Sequence, residues 1–210
     1  MIEKIYNGNY LTRLDNIIQW QERDVFQRES VSQHSYKVSI FCKVLLDECF
    51  KTEDVEVLKF KNEVLSHALF HDWDEALILR DISHVTKYNE YNGDKIRKVI
   101  NDLANHLAYE SFVQNSDSLS GNKIYDAIMV PSKVVHAFVK LADWMALAMF
   151  VRREISMGNK NFDYENRYIK THLFNASKTL KEELERKFTN NVNTYIFENL
   201  IDELYGSKKN

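Results

Sequence analysis

The chain has 210 residues, 44% hydrophobic and 28% charged; this length suits one domain with its own core, and 12% aromatic residues is too rich for a disordered polymer. A formal net charge of −3 argues against a broad basic surface, and so against stable sequence-independent nucleic-acid binding, while leaving room for a local cationic pocket for one phosphate. With one proline, Pro131, and five glycines, long segments run free of helix breakers, so the expected fold class is all-α: a single domain over residues 1–205 and a charged, fraying tail at 206–210.

No stretch is read as reaching the roughly 18 apolar residues of a membrane span. The segment Met1 to Tyr10 lacks the apolar core of a secretory signal, so a cytoplasmic protein with no membrane association is expected. From Ser32 onward, His34, Val38, Phe41 and Leu45 recur at steps of three and four, which puts His34 on an apolar helical face. Cys42 and Cys49 fall seven apart near one face of that helix, a geometry that disfavours a disulfide between them and predicts two buried thiols.

A second helix is expected from about Val55 to Leu79, with Val64, Ala68 and His71 on one stripe and Leu65, Leu69 and Asp72 beside it. Both His71 and Asp72 then emerge from an inward-facing surface. Between Arg80 and Asp94 the periodicity weakens into a loop, RDISHVTKYNEYNGD, and helix resumes from about Asp94 to Phe112. QNSDSLSGN at 114–122 is a polar interruption, and Pro131 sits near the start of the most apolar helix, where Val135, Val139, Ala142 and Ala146 form a stripe close to Asp143. A last pair is expected at about Asn166–Lys187 and Asn191–Leu204.

A histidine followed directly by a carboxylate, His71-Asp72, can offer an imidazole nitrogen and an oxygen to one ion. Alone the dipeptide says little, because such a pair in a chain with seven histidines is usually surface decoration. Separate segments supply His34 and Asp143, each among apolar residues where an unpaired ionisable group is costly to bury. One shared metal ion would satisfy all four groups.

The order VSQHS (Val31 to Ser35), ALFHDWDEAL (Ala68 to Leu77) and KLADWMAL (Lys140 to Leu147) resembles the HD-domain phosphohydrolases, in particular the bacterial 5'-deoxynucleotidases, whose signature is H…HD…D. The likeness runs from Trp20 through DISHVTKYN (Asp81 to Asn89) to REISMGNKNF (Arg153 to Phe162) and covers most of the chain. It implies an HD-type helical bundle in which His34, His71, Asp72 and Asp143 hold one divalent transition metal. Cobalt, manganese, zinc, iron, nickel and copper are not distinguished by such ligands. It implies that Glu75, three residues after the HD aspartate, transfers protons, with Asp74 an adjacent candidate and a solvated helix carboxylate the bland alternative.

By the same resemblance, Trp20 and the loop from Asp81 to Lys87 wall the substrate pocket. Trp20 packs a sugar or base, Asp81 accepts from a deoxyribose 3'-hydroxyl, and Lys87 neutralises phosphate. None of these is diagnostic as a residue type. There are two departures. Gln19-Trp20 stands where the bacterial nucleotidases carry Arg-Trp, leaving Arg23 or Arg28 to compensate; and the stretch from Glu75 to Asp81 is one residue longer, followed by DISHVTK, which lacks the family loop's proline. His84 is new in that loop and reads either as a phosphate or proton-transfer group or as a plain surface histidine.

The implied activity is hydrolysis of a small-molecule deoxynucleotide, a deoxyribonucleoside 5'-monophosphate, by a homodimer. One alternative is a deoxynucleoside triphosphate triphosphohydrolase, for example on dATP; another is an HD protein that binds nucleotides without turnover; a third is a structural helical protein.

Overall fold

The computed structural model describes residues 10–52, 54–78, 81, 93–109, 125–126, 130–189 and 192–205. Among these, the elements are α1 Tyr10–Asn16, α2 Val31–Cys49, α3 Val55–Phe70, α4 Trp73–Ile78, α5 Gly93–Ala108, α6 Lys133–Ser156, α7 Asp163–Phe188 and α8 Ile196–Tyr205, with a 3-10 turn at Lys160–Phe162. No strand forms among the described residues, and the all-α expectation holds. The expected loop at 82–92, the polar interruption at 114–122 and the tail at 206–210 lie outside them.

Two expectations need correction. The helix read from Val55 to Leu79 is two helices, α3 and α4, separated by a turn at His71-Asp72. Asp72 immediately precedes α4, a position that suits aspartate, and Asp74 and Glu75 in the first turn of α4 complement the positive end of its dipole. Leu69, expected to face inward, is 53% exposed. Apolar spacing alone carries no mark of this break, because neither glycine nor proline accompanies it.

The chain divides into two compact units, Met1–Ser35 with Phe70–Val130 and Tyr36–Leu69 with Pro131–Asn210. In the first, α4 packs against α1 and α5, and Leu14, Ile17, Val31, Trp73 and Ala76 are buried. Trp73 meets Phe70 edge-on at 5.2 Å.

Between α1 and α2 the chain doubles back and closes on itself. Ile18 and Ser30 form an antiparallel bridge, flanked by the Gln19 N–H donating to the Glu29 carbonyl at 2.8 Å and the Val31 N–H to the Ile17 carbonyl at 2.9 Å. Within this excursion Trp20 has φ of 61°, a left-handed conformation that is strained for a bulky residue. Its N–H donates to an Asp81 carboxylate oxygen at 2.8 Å, which helps hold it there. Ser30 then starts α2 with a reciprocal cap: the Ser30 N–H donates to the Gln33 side-chain oxygen at 3.0 Å, and the Gln33 N–H to Ser30 Oγ at 3.3 Å.

In the second unit, α6 packs along α7, and α8 lies against both. The stripe Val135, Val139, Ala142 and Ala146 is buried, as its spacing predicts. Helix α6 also corrects the reading that no stretch is long enough to span a membrane. Its 24 residues pass that test by length and composition, but 78% of the apolar window is buried inside the protein. A long, mostly buried apolar helix is what the centre of a helical core requires.

Gly158, at φ of 97°, lets the chain leave α6, and its N–H caps the Ile155 carbonyl at 2.9 Å. The buried Glu154 then accepts from the Asn159 side-chain amide at 2.8 Å. Phe50, Phe60, Phe138 and Phe188 form a ring cluster, with Phe60 within 6.0 Å of each of the other three. Cys42 and Cys49 are free and buried, as expected. Burial, reinforced by the Asp143 charge, raises the Cys42 thiol; burial and then the Glu48 charge push Cys49 up to about 12.

Candidate metal centre

The cap at Ser30 fixes where α2 begins and therefore where His34 lies, in the first turn, its N–H bonded to the Ser30 carbonyl at 3.0 Å. The His34 ring is 1% exposed, and its two nitrogens face different carboxylates. Nε2 is 3.9 Å from Asp72 Oδ2, whereas Nδ1 is 3.8 Å from Glu29 Oε1. The turn between α3 and α4 brings His71 and Asp72 to the same place: His71 Nε2 is 3.0 Å from Asp72 Oδ2, and the two imidazole rings are 5.5 Å apart.

One donor atom from each of His34, His71 and Asp72 falls within 4.8 Å of the others, so the three can hold a metal ion. Two imidazole nitrogens and a carboxylate oxygen form a donor set suited to a first-row divalent transition metal. Asp143 stands on α6 in the second unit, where its Oδ2 accepts from Lys140 Nζ at 2.7 Å, and Lys140 also lies 4.9 Å over the Trp144 ring.

Glu75 is 3% exposed, unlike the solvated carboxylate of the bland alternative, and its N–H donates to the Asp72 carbonyl at 3.0 Å. Asp74 is half-buried. Trp20 and Asp81 are joined through the backbone of one and the carboxylate of the other, both half-buried, while Arg28 is exposed. His84 and Lys87 lie outside the described residues. Gln19, in place of the arginine, is buried, and its side-chain oxygen has no hydrogen-bond partner among the described residues. Sequence reasoning missed Glu29; the S-x-x-Q pattern at Ser30 to Gln33 marks the helix start beside it but not the imidazole it faces.

Helices that gather a histidine from one segment and a His-Asp pair from the next define an HD-type hydrolase. Residues 8–192 match the family described as 5'-deoxynucleotidase YfbR-like. The chain belongs to that family and is a hydrolase of phosphate esters, a nucleotide phosphohydrolase. It is similar to 4'-phosphooxetanocin A phosphatase of Priestia megaterium, 28% identical over 167 residues that make up 79% of this chain and 81% of the other. In fold it resembles an HD-domain phosphohydrolase from Listeria innocua, with TM-score 0.64 and 17% identity over 99% of this chain and 90% of that one. A conserved hypothetical protein of Pyrococcus furiosus aligns with TM-score 0.60 and 19% identity, covering 98% of this chain and 99% of that one.

Proposed function

We propose that the protein hydrolyses a deoxyribonucleoside 5'-monophosphate to the deoxynucleoside and inorganic phosphate. The observation that carries this reading is the His34, His71 and Asp72 donor cluster followed within one turn by the buried Glu75. Family membership weighs against the two non-enzymatic alternatives; protein that holds no transition metal and shows no hydrolysis with added manganese or cobalt would restore the inactive nucleotide-binding one. A phosphatase among the similar proteins favours release of a single phosphate.

In this reading His34, His71 and Asp72 hold one divalent transition metal, and the motif's order adds Asp143 as the fourth ligand. When bound, that metal supplies activation of the attacking water and charge neutralisation of the phosphoryl oxygens. Glu75 manages the proton as water adds to phosphorus and the P–O5' bond breaks, the leaving oxygen taking up a proton. Trp20 packs the nucleoside, Asp81 accepts from the 3'-hydroxyl, and Arg28, His84 and Lys87 serve the phosphate.

The buried Gln19, where a guanidinium is expected, supports a second reading: triphosphate release from a deoxynucleoside triphosphate. A nucleotide panel with several divalent ions, scoring phosphate, pyrophosphate and triphosphate separately, tests both. Phosphate from monophosphates is expected, and triphosphate from dNTPs as the dominant product would replace the leading reading with the second. A cytoplasmic homodimer completes the proposal, in keeping with the free thiols of Cys42 and Cys49 and the exposed Met149, Tyr164 and Phe174 of α6 and α7. A monomer in sedimentation velocity on the assayed sample would exclude the dimer.

A further inference from the structure

The geometry points to Glu29 as a positioning residue: we propose that its carboxylate accepts a hydrogen bond from His34 Nδ1–H and so turns Nε2 toward the metal. This rests on reading His34, His71 and Asp72 as metal ligands. His34 has two nitrogens and only one side of its ring belongs to the donor cluster. Nε2 faces Asp72 Oδ2 at 3.9 Å, and Nδ1 faces Glu29 Oε1 at 3.8 Å on the opposite side. An imidazole that ligates through one nitrogen carries its proton on the other, and a carboxylate at that second nitrogen fixes both the tautomer and the ring orientation.

Glu29 is built to hold that place. It is 5% exposed, and its backbone is clamped on both sides. The Glu29 carbonyl accepts from the Gln19 N–H at 2.8 Å across the Ile18–Ser30 bridge, and the next residue is the cap of the helix that carries His34. The carboxylate and the imidazole therefore stand on one short rigid segment, five residues apart, and their separation does not depend on the flexibility of a loop. At 3.8 Å the pair is beyond hydrogen-bond length, and closing that gap takes about 1 Å of side-chain movement when the ring is drawn into ligation.

The test is a cobalt titration of chelator-stripped protein. Glu29→Gln keeps the size and polarity of the side chain but replaces an anion with an amide. We expect cobalt to bind about 10- to 100-fold more weakly than in the wild type. The metal-free variant should melt within about 3 °C of the metal-free wild type, the shift of roughly 1 kcal/mol in a chain this size. Equal cobalt affinity in the two proteins would overturn the proposal.

Should the variant not fold, the metal-free wild type decides the matter by nitrogen NMR: a His34 tautomer with its proton on Nδ1 supports the assignment, and one with its proton on Nε2 overturns it. A wild type that binds neither cobalt nor zinc would instead refute the metal-centre reading on which this inference stands.

Discussion

The two nitrogens of His34 face different carboxylates, and this makes its neighbours as informative as the residue itself. The His71-Asp72 pair is legible in the sequence because its two members are adjacent and chemically distinctive. Glu29 is not, since a glutamate before a helix start is ordinary and only the folded cap shows that it faces an imidazole. Glu75 was legible by its position after the HD aspartate, and the structure adds that it is buried. Glu75→Gln should retain the metal content of the wild type while turnover falls by about 10²- to 10⁴-fold, the range for a lost proton-transfer group. Undiminished turnover at equal metal content would take Glu75 out of the mechanism.

Helices were legible where apolar spacing meets a buried face, as in α6, and illegible where function interrupts them. The turn between α3 and α4 is the clearest case: apolar residues continue on both sides, and no proline or glycine announces that His71 and Asp72 leave the helix. Pairing of α6 with α7 adds a property that no spacing predicts. His172 stacks on Trp144 at 4.8 Å and meets Tyr168 at 4.2 Å, and burial, then the charge of Lys140, lower its pKa from the ordinary value of about 6.5. The folded protein thus holds this imidazole neutral where the unfolded chain would protonate it. Its contribution to stability is complete above about pH 6.5 and is lost as pH falls through the lowered folded value. Urea midpoints at pH 7 and pH 5.5 should therefore drop further in the wild type than in His172→Gln; identical drops would show that His172 has no part in it.

At the scale of the whole molecule, one proline and five glycines were enough to give the all-α class. Of the three boundaries between the two compact units, the one at Val130–Pro131 coincides with the single proline, whereas those after Ser35 and Leu69 left no trace in composition because they fall inside α2 and α3. The phenylalanine cluster of the second unit was equally hidden, since Phe50, Phe60, Phe138 and Phe188 come from four separate segments. Phe60 touches all the others and is 2% exposed, so Phe60→Ala should cost about 3–5 kcal/mol in equilibrium unfolding. A loss below about 1 kcal/mol would mean that the cluster closes over the gap.

The bridge between Ile18 and Ser30 bears on how such a protein can diverge. It ties the excursion at its neck, so the mostly exposed residues 21–28 form a closed loop whose ends are held independently of its contents. Doubling the length of such a loop adds only about 0.6 kcal/mol of closure entropy. The segment beside Trp20 can therefore lengthen or change composition while His34 keeps its place, so under the proposed function the choice of substrate can drift while the metal centre is retained.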